Sequence, residues 1–375
     1  MKNYKSDKVF AEKHISVIEL KKDDARVLLS PDLQGRVLTS SANGEEGYSF
    51  GWLNYDLISA GQYLPHCNNF GGEDRYWLGP EGGQFSLFFK NGTDFDFENW
   101  QAPSLIDTDS WNLVSHDETN SIFEKSAIIE NYKGTKFNLQ LNRKVSLLDT
   151  KEVYKNLSLK EFFDKYKNNS LDKLDIVAFS SDNEITNEND FEWNRETGML
   201  SIWILGQFIP SDANKVIIPY IDSDEDEIND SYFGKIDEDR LSINSNILEF
   251  KGDGKKRGKI GLPPSMAKPI IMSLDEKNQT LTVVTFSFDK SKKDYINSMW
   301  EYQAEPFKGD VVNSYNDGPL EDGSIMGPFY EIETSSAATN LKPRETAKHM
   351  HTTYHFKGNL ETLSDLKDYL IINFK

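Results

Sequence analysis

GPFYEIETSSAATNLKPRETAKHMHTTYHF, Gly327 to Phe356, alternates in side-chain character along both of its halves. In the first half, alternation puts Glu331 and Glu333 on one face and Tyr330, Ile332 and Thr334 on the other. In the second, His349, His351, Thr353 and His355 share a face, and Met350, Thr352, Tyr354 and Phe356 share the opposite one. Two strands joined by a Pro-containing turn are predicted. Two carboxylates on one strand face need water or a cleft, because burying them unpaired is costly.

The same period of two runs through the chain. ARVLLSPDLQGRVLTSSANG reads as two strands around a Pro-Asp turn, closing at Asn43-Gly44. SAIIENYKGTKFNLQLNRKVSLL, DIVAFSSDNEITN, GMLSIWILGQF, KVIIPYI and KPIIMSLDEKNQTLTVVTFSFD are further strand candidates. GGQFSLFFKNGTDFDF, ending near Asn91-Gly92, is read the same way. Helical periodicity is confined to LSLKEFFDKYK, with Ser158 as N-cap, and to LETLSDLKDYLIINF, where Leu360, Leu363, Leu366 and Leu370 form one side. Strands along the whole length with two helices predict an all-β sandwich. No fixed-period repeat and no Pro/Gly/Ser linker divides it, so residues 1–375 are read as a single domain.

Forty-two basic against 61 acidic residues give a net charge of −19. Such a field repels nucleic-acid backbones and anionic membrane surfaces and favours a neutral or cationic partner. Cys67 is the only cysteine, which excludes an intramolecular disulfide and a zinc site built on cysteine pairs. No apolar run is long enough to span a membrane. The first residues lack the apolar core of a signal peptide, so a cytoplasmic protein is the default expectation, with an exported form whose leader has been removed as the alternative.

Three groups of residues could carry chemistry. FGGEDRYWLGPEGGQFSLFF, Phe70 to Phe89, crowds glycines around charges. The glycine pairs are read as hinges that present Arg75, Trp77 and Glu81 along a cleft wall. A guanidinium fork, an indole face and a carboxylate together suit a polyhydroxylated ring; an internal Arg–Glu pair is the alternative. MWEYQAEPFKGDVVNSYNDGP, Met299 to Pro319, is read as loop-rich, with Trp300, Glu301, Asp310, Asn313, Asn316 and Asp317 on it. The Asn-Asp-Gly-Pro end is a turn signal, which leaves Asn313 and Asp310 free to point elsewhere. The third group is the His349, His351 and His355 face, either metal-binding with His355 or Glu331 as a further ligand, or a half-exposed face serving as polar surface or as hydrogen-bonded packing. DSDEDEIND, Asp222 to Asp230, has acids at calcium-loop spacing but Glu227 where such a loop needs glycine, so it reads as a solvated acidic loop. GDGKKRGK, Gly252 to Lys259, reads as a surface turn and not a phosphate cradle.

The opening stretch resembles the C-terminal signature of the galactose mutarotase (aldose 1-epimerase)-like proteins. There a strand bearing a Glu precedes a Leu-x-Pro-Gly-Glu turn and a last strand rich in Thr, Tyr and Phe. Glu331, then Leu341, Pro343 and Glu345, then Thr353, Tyr354 and Phe356 match, with Arg344 in place of the glycine. LSPDLQGRVLTSS resembles the family's opening hairpin, DIVAFSSDNEITNENDFEW its central strand, and GGEDRYWLGPEGG a motif of uncharacterised members. The resemblance implies a large antiparallel β-supersandwich with a sugar cleft, a neutral saccharide ligand and no cofactor. It also implies a carboxylate that takes the anomeric proton and a histidine that protonates the ring oxygen. Glu331 matches the base. The family's mid-chain histidine has no counterpart, since no histidine falls between His116 and His349, and Glu192, Trp193 and Arg195 occupy that neighbourhood. His66 or His349 could supply the acid from elsewhere. Three readings follow: a carbohydrate-active enzyme using Glu331 with Glu81 or Asp317, a non-catalytic sugar binder built on Arg75, Trp77, Glu81, Asn313 and Asp317, and a metal-dependent β-protein using the three histidines.

Overall fold

The alternating segments form eighteen strands in a computed structural model that describes residues 3–166, 174–223, 227–244, 246–320 and 323–374. In chain order they are β1 Ile18–Lys22, β2 Ala25–Ser30, β3 Arg36–Ser41, β4 Arg75–Gly79, β5 Asn112–His116 and β6 Asn120–Glu130. Next come β7 Lys136–Leu147, β8 Asp175–Asn187, β9 Ser201–Phe208, β10 Asn214–Pro219, β11 Leu241–Asn244 and β12 Ile247–Lys251. The last six are β13 Gly258–Leu262, β14 Ile270–Asp275, β15 Thr280–Phe286, β16 Val312–Asn316, β17 Tyr330–Ser335 and β18 Thr346–Lys357. The helices are α1 Tyr4–His14, α2 Tyr55–Ala60, α3 Ser104–Asp107, α4 Thr150–Asn156, α5 Lys160–Tyr166 and α6 Leu360–Asn373. Among the described residues no helix is long and apolar enough to cross a membrane.

The sandwich has three sheets. A ten-stranded sheet runs β11-β12-β10-β14-β15-β18-β8-β7-β6-β5, a five-stranded one β13-β16-β17-β9-β4, and a three-stranded one β1-β2-β3. Pairing is antiparallel in each. Inward side chains of the two larger sheets, among them Leu141, Val145, Val177 and Phe179 against Leu78, Ile202 and Ile204, make the main core. The outer face of the large sheet is covered by helices: Val153, Leu157 and Phe162, then Leu363, Leu366 and Leu370, pack on Met272, Leu281, Val283, Tyr354 and Phe356. The C-terminal helix thus starts and faces as its leucine spacing predicts, with Asn359 capping its first turn.

Several local expectations are corrected. Ser158 is no N-cap: it takes φ 54° between α4 and α5. Gln84 to Phe89 is no strand; its aromatics are buried as an irregular segment that plugs the core. Asn313 and Asn316 lie on β16, not on a loop. Arg344 has φ 71° at the turn position where the resembling family has glycine, a conformation that costs a side-chain-bearing residue some strain. The centre of DSDEDEIND lies outside the described residues.

Glu73, Asp74 and Arg75 tie the layers together. Glu73 Oε2 lies 2.7 Å from His355 Nε2 on β18 and accepts from Ser40 of β3 at 2.9 Å. Asp74 accepts from Arg143 of β7 at 2.7 Å and from Ser181 of β8 at 2.8 Å. Arg143 also donates to Asn183 Oδ1 and to the Gly35 carbonyl, so its buried charge is fully engaged. Replacing Arg143 by Met leaves the Asp74 carboxylate buried without its partner, for which the expected loss is about 3–5 kcal/mol. Urea unfolding followed by circular dichroism measures it; a loss under about 1 kcal/mol would show the pair to be dispensable.

Candidate functional site

Register on the five-stranded sheet assembles the site. Antiparallel pairing sets Lys259 beside Tyr315, Tyr315 beside Glu331 and Glu331 beside Gln207. A second row places Asn313 beside Glu333, Glu333 beside Leu205 and Leu205 beside Arg75. A third pairs Trp203 with Trp77. All of these side chains share the face turned away from the large sheet, while Ile332, Thr334, Ile202, Ile204, Tyr76 and Leu78 fill the opposite one. The floor of the site is therefore the back of the core.

Over this floor lies a cavity of about 550 Å³. Arg75, Trp77, Trp203, Leu205, Gln207, Lys259, Tyr315 and Glu331 form its base. Its walls come from irregular segments that bring His66, Cys67, Asn69, Glu81, Trp100, Arg257, Trp300 and Phe329. Leu64, Phe97, Phe233, Ile325 and Met326 also line it while remaining largely exposed, which gives the mouth an apolar collar.

The glycine pairs are explained by backbone conformation and by contact together: Gly71, Gly72 and Gly83 take φ 93°, 111° and 77°. A Cβ on Gly71 would stand 2.1 Å from the Trp52 carbonyl oxygen, and one on Gly82 2.2 Å from that of Met299. The chain between them is no loop: Arg75–Gly79 is an edge strand whose alternation sends Arg75 and Trp77 to the cavity. Glycines let the chain pass close against neighbouring backbone before and after it.

Glu331 is held at one oxygen and open at the other. Its Oε1 accepts from Arg75 at 2.5 Å and from Gln207 at 2.9 Å. Its Oε2 accepts from no described residue. Burial raises its pKa above the usual carboxylate range, opposed by Arg75 and reinforced by Glu333. Glu333 differs in depth: its Oε2 accepts from Lys259 and from the Trp203 indole, each at 3.0 Å, its Oε1 has no partner among the described residues, and the residue is wholly buried. Glu81 is half-buried on the wall with its pKa raised by burial and lowered in part by Lys259.

Five of the thirteen buried side-chain polar atoms that lack a hydrogen-bond partner among the described residues belong to cavity-lining residues: Arg75 Nε, Trp77 Nε1, Trp100 Nε1, Gln207 Oε1 and Arg257 Nε. Native proteins leave few such atoms, so a cluster around one hollow calls for an explanation. The indoles are fixed by one another, Trp77 edge-on to Trp203 at 5.5 Å and Trp100 stacked with Trp300 at 5.7 Å.

Arg75, Trp77, Glu81 and Glu331 thus line one cavity, together with His66, whose Nδ1 lies 2.6 Å from the Trp100 carbonyl and so donates to it. Asn313 does not; it lines a void of about 10 Å³ next door with Asp310 and Tyr232. Asp317 does not; it accepts from Tyr315 Oη at 2.9 Å and from the Gly327 N–H at 3.0 Å, which steadies one wall. His349 is buried between the sheets, 2.8 Å from Thr334 Oγ1, and cannot serve as the acid in this cavity. The histidine face is buried throughout, not half-exposed, and of the alternatives to a metal site hydrogen-bonded packing is the one the structure has. His351 also meets Thr334, at 2.9 Å, and His355 meets Thr282 and Glu73. Among the described residues no group of three or more His, Cys, Asp or Glu could hold a metal ion. Gln207, Lys259, Arg257, Trp100 and Trp203 carried no sequence signal of their own; only strand register and loop closure bring them in. Arg257 and Lys259 correct the reading of GDGKKRGK as mere surface.

Burial lowers His349 to about 3 and His351 to about 4. Unfolded, both protonate near pH 6.5, so between these values the unfolded chain binds more protons and stability is lost as pH falls. His349→Gln is expected to unfold earlier in urea at pH 7 and to lose less further stability than wild type between pH 6.5 and 4.5. Equal pH slopes in the two proteins would refute the buried neutral imidazole.

No curated protein matches this sequence. Among solved structures, Slr1438 from Synechocystis sp. PCC 6803 superposes with a TM-score of 0.54 at 10% identity, over 92% of this chain and 96% of that one. A galactose mutarotase-like protein from Lactobacillus casei ATCC 334 gives 0.51 at 8% identity, over 91% and 100% of the two chains. An Escherichia coli K12 protein provisionally assigned as an aldose 1-epimerase gives 0.51 at 9%, over 91% and 98%. The fold is that of the galactose mutarotase-like β-sandwich proteins. A family model matches residues 2–372, and the chain accordingly belongs to the family of unknown function DUF6786.

Proposed function

We propose that this protein binds a saccharide in the tryptophan-lined cavity and that Glu331 acts on it as general base. The observation that carries the reading is the cluster of unsatisfied buried polar atoms set among indole faces. A sugar presents hydroxyls for Arg75 Nε, the Trp77 and Trp100 N–H groups and Gln207 Oε1, and C–H faces for the rings. A volume of about 550 Å³ is within the usual range for a small-ligand site. The whole chain, 1–375, is taken to act as one domain behind this site.

Glu331 suits a base because Arg75 and Gln207 fix its orientation through Oε1 and leave Oε2 toward the ligand. Its raised pKa brings it closer to that of a group able to take and return a proton near neutrality. His66 and Glu81 are the wall residues able to hold a proton for the other half of the reaction. A second reading, binding without turnover, is favoured by the neighbourhood of the missing mid-chain histidine. There Trp193 is fully buried in the core against Phe137, and Glu192 accepts from Asn340 and does not line the cavity.

Calorimetric titration with monosaccharides and short oligosaccharides is expected to show binding, and polarimetry of freshly dissolved α-galactose and α-glucose to show accelerated anomerisation. Glu331→Gln is expected to keep binding within a few-fold and to lower the acceleration at least 100-fold. Binding without acceleration in wild type selects the second reading, and absence of both rejects the saccharide site.

A further inference from the structure

We propose that the saccharide carries a carboxylate group and that Arg257 receives it; this rests on the saccharide reading above. The cavity holds three cationic side chains. Two are already matched by carboxylates: Arg75 by Glu331 at 2.5 Å and Lys259 by Glu333 at 3.0 Å. Arg257 donates a hydrogen bond to no described residue, and its buried Nε has no partner. Its guanidinium lies over the Phe233 ring, with Cζ 3.8 Å from the centroid. Stacking fixes the plane of the group and leaves the N–H donors at its edge for something else. Asp317 is close enough to feel the charge of Arg257, yet its two oxygens are engaged by Tyr315 Oη and the Gly327 N–H.

A planar fork without a partner, facing a cavity that must already satisfy a sugar, matches the two oxygens of a carboxylate. The net charge of −19 makes this local arrangement more pointed, since the long-range field repels anions and only a dedicated contact would retain one. Burial raises both Glu331 and Glu81, so these carboxyls give up negative charge most readily when an anion enters beside them. A phosphate ester is the poorer match. It would bring up to two charges to a single unpaired guanidinium with Glu331, Glu333 and Asp317 nearby.

The test is calorimetric titration of the full chain at pH 7 and fixed ionic strength with D-galacturonate and D-glucuronate, against D-galactose, D-glucose and D-glucose 6-phosphate. The carboxylated sugars are expected to bind at least tenfold more tightly than their neutral counterparts. Arg257→Met, which keeps an apolar side chain over Phe233, is expected to abolish that preference, weakening the carboxylated sugars at least tenfold more than the neutral ones. Arg257→Lys, which keeps the charge without the fork, is expected to retain only part of it. Equal affinity for neutral and carboxylated sugars in wild type, a preference for the phosphate, or a preference that survives in both variants overturns the proposal and leaves the saccharide site standing. No binding of any of these sugars overturns both together.

Discussion

Three consecutive charged residues, Glu73, Asp74 and Arg75, are each buried and each committed to a different partner. Glu73 reaches β3 and β18, Asp74 reaches β7 and β8, and Arg75 reaches β17. A strand entering the sandwich between sheets must satisfy every polar group it brings, because a buried ion left alone costs several kcal/mol. With three such groups in a row, one rotation and one register of β4 give each of them its charged or polar partner. The position of Arg75 against Glu331, on which the cavity floor depends, is thus set by the same contacts that hold the layers together.

The five-stranded sheet shows how one surface can serve two purposes. Its even-numbered residues on β4, β9 and β17 build the core, and its odd-numbered ones line the cavity. A period of two makes this division automatic, and a slip by one residue would bury Glu331 and Glu333 in the main core. Glu331 and Glu333 also show how position decides chemistry. Two carboxylates two residues apart face the same way and each has two donors on a single oxygen, yet Glu333 lies wholly buried under the others while Glu331 lines the hollow.

The sheet architecture was legible because alternation is a local property: β6, β7, β8, β14, β15, β17 and β18 fall where the pattern places them. So does the side of the sheet on which Glu331, Glu333 and the histidines lie. What alternation does not encode is what covers each face. Alternation therefore leaves the histidine face open to either polar surface or hydrogen-bonded packing, and the five-stranded sheet lying over it decides for packing. The irregular run through Phe85, Phe88 and Phe89 has a strand's composition because burial, not pairing, selects its apolar residues. Arg75, Trp77 and Glu81 were picked out by their glycine-rich setting, although the glycines serve backbone packing. Lys259, Gln207 and Trp203 come to the site through partners more than fifty residues away, and no short window of sequence contains that information.

The cavity has a floor of paired strands and a rim of irregular segments, and these two parts answer to different pressures. A substitution on the floor is felt by the hydrophobic interior directly beneath it, so the side chains presented there are tied to the integrity of the sandwich. The rim segments around residues 61–70, 90–100 and 323–329 contribute side chains from outside the named strands, and the exposed ones among them, Leu64, Phe97, Ile325 and Met326, can be exchanged at small cost. Selection can in this way reshape the mouth while the base stays as it is, an arrangement that favours diversification of the rim over rebuilding of the sheet beneath it.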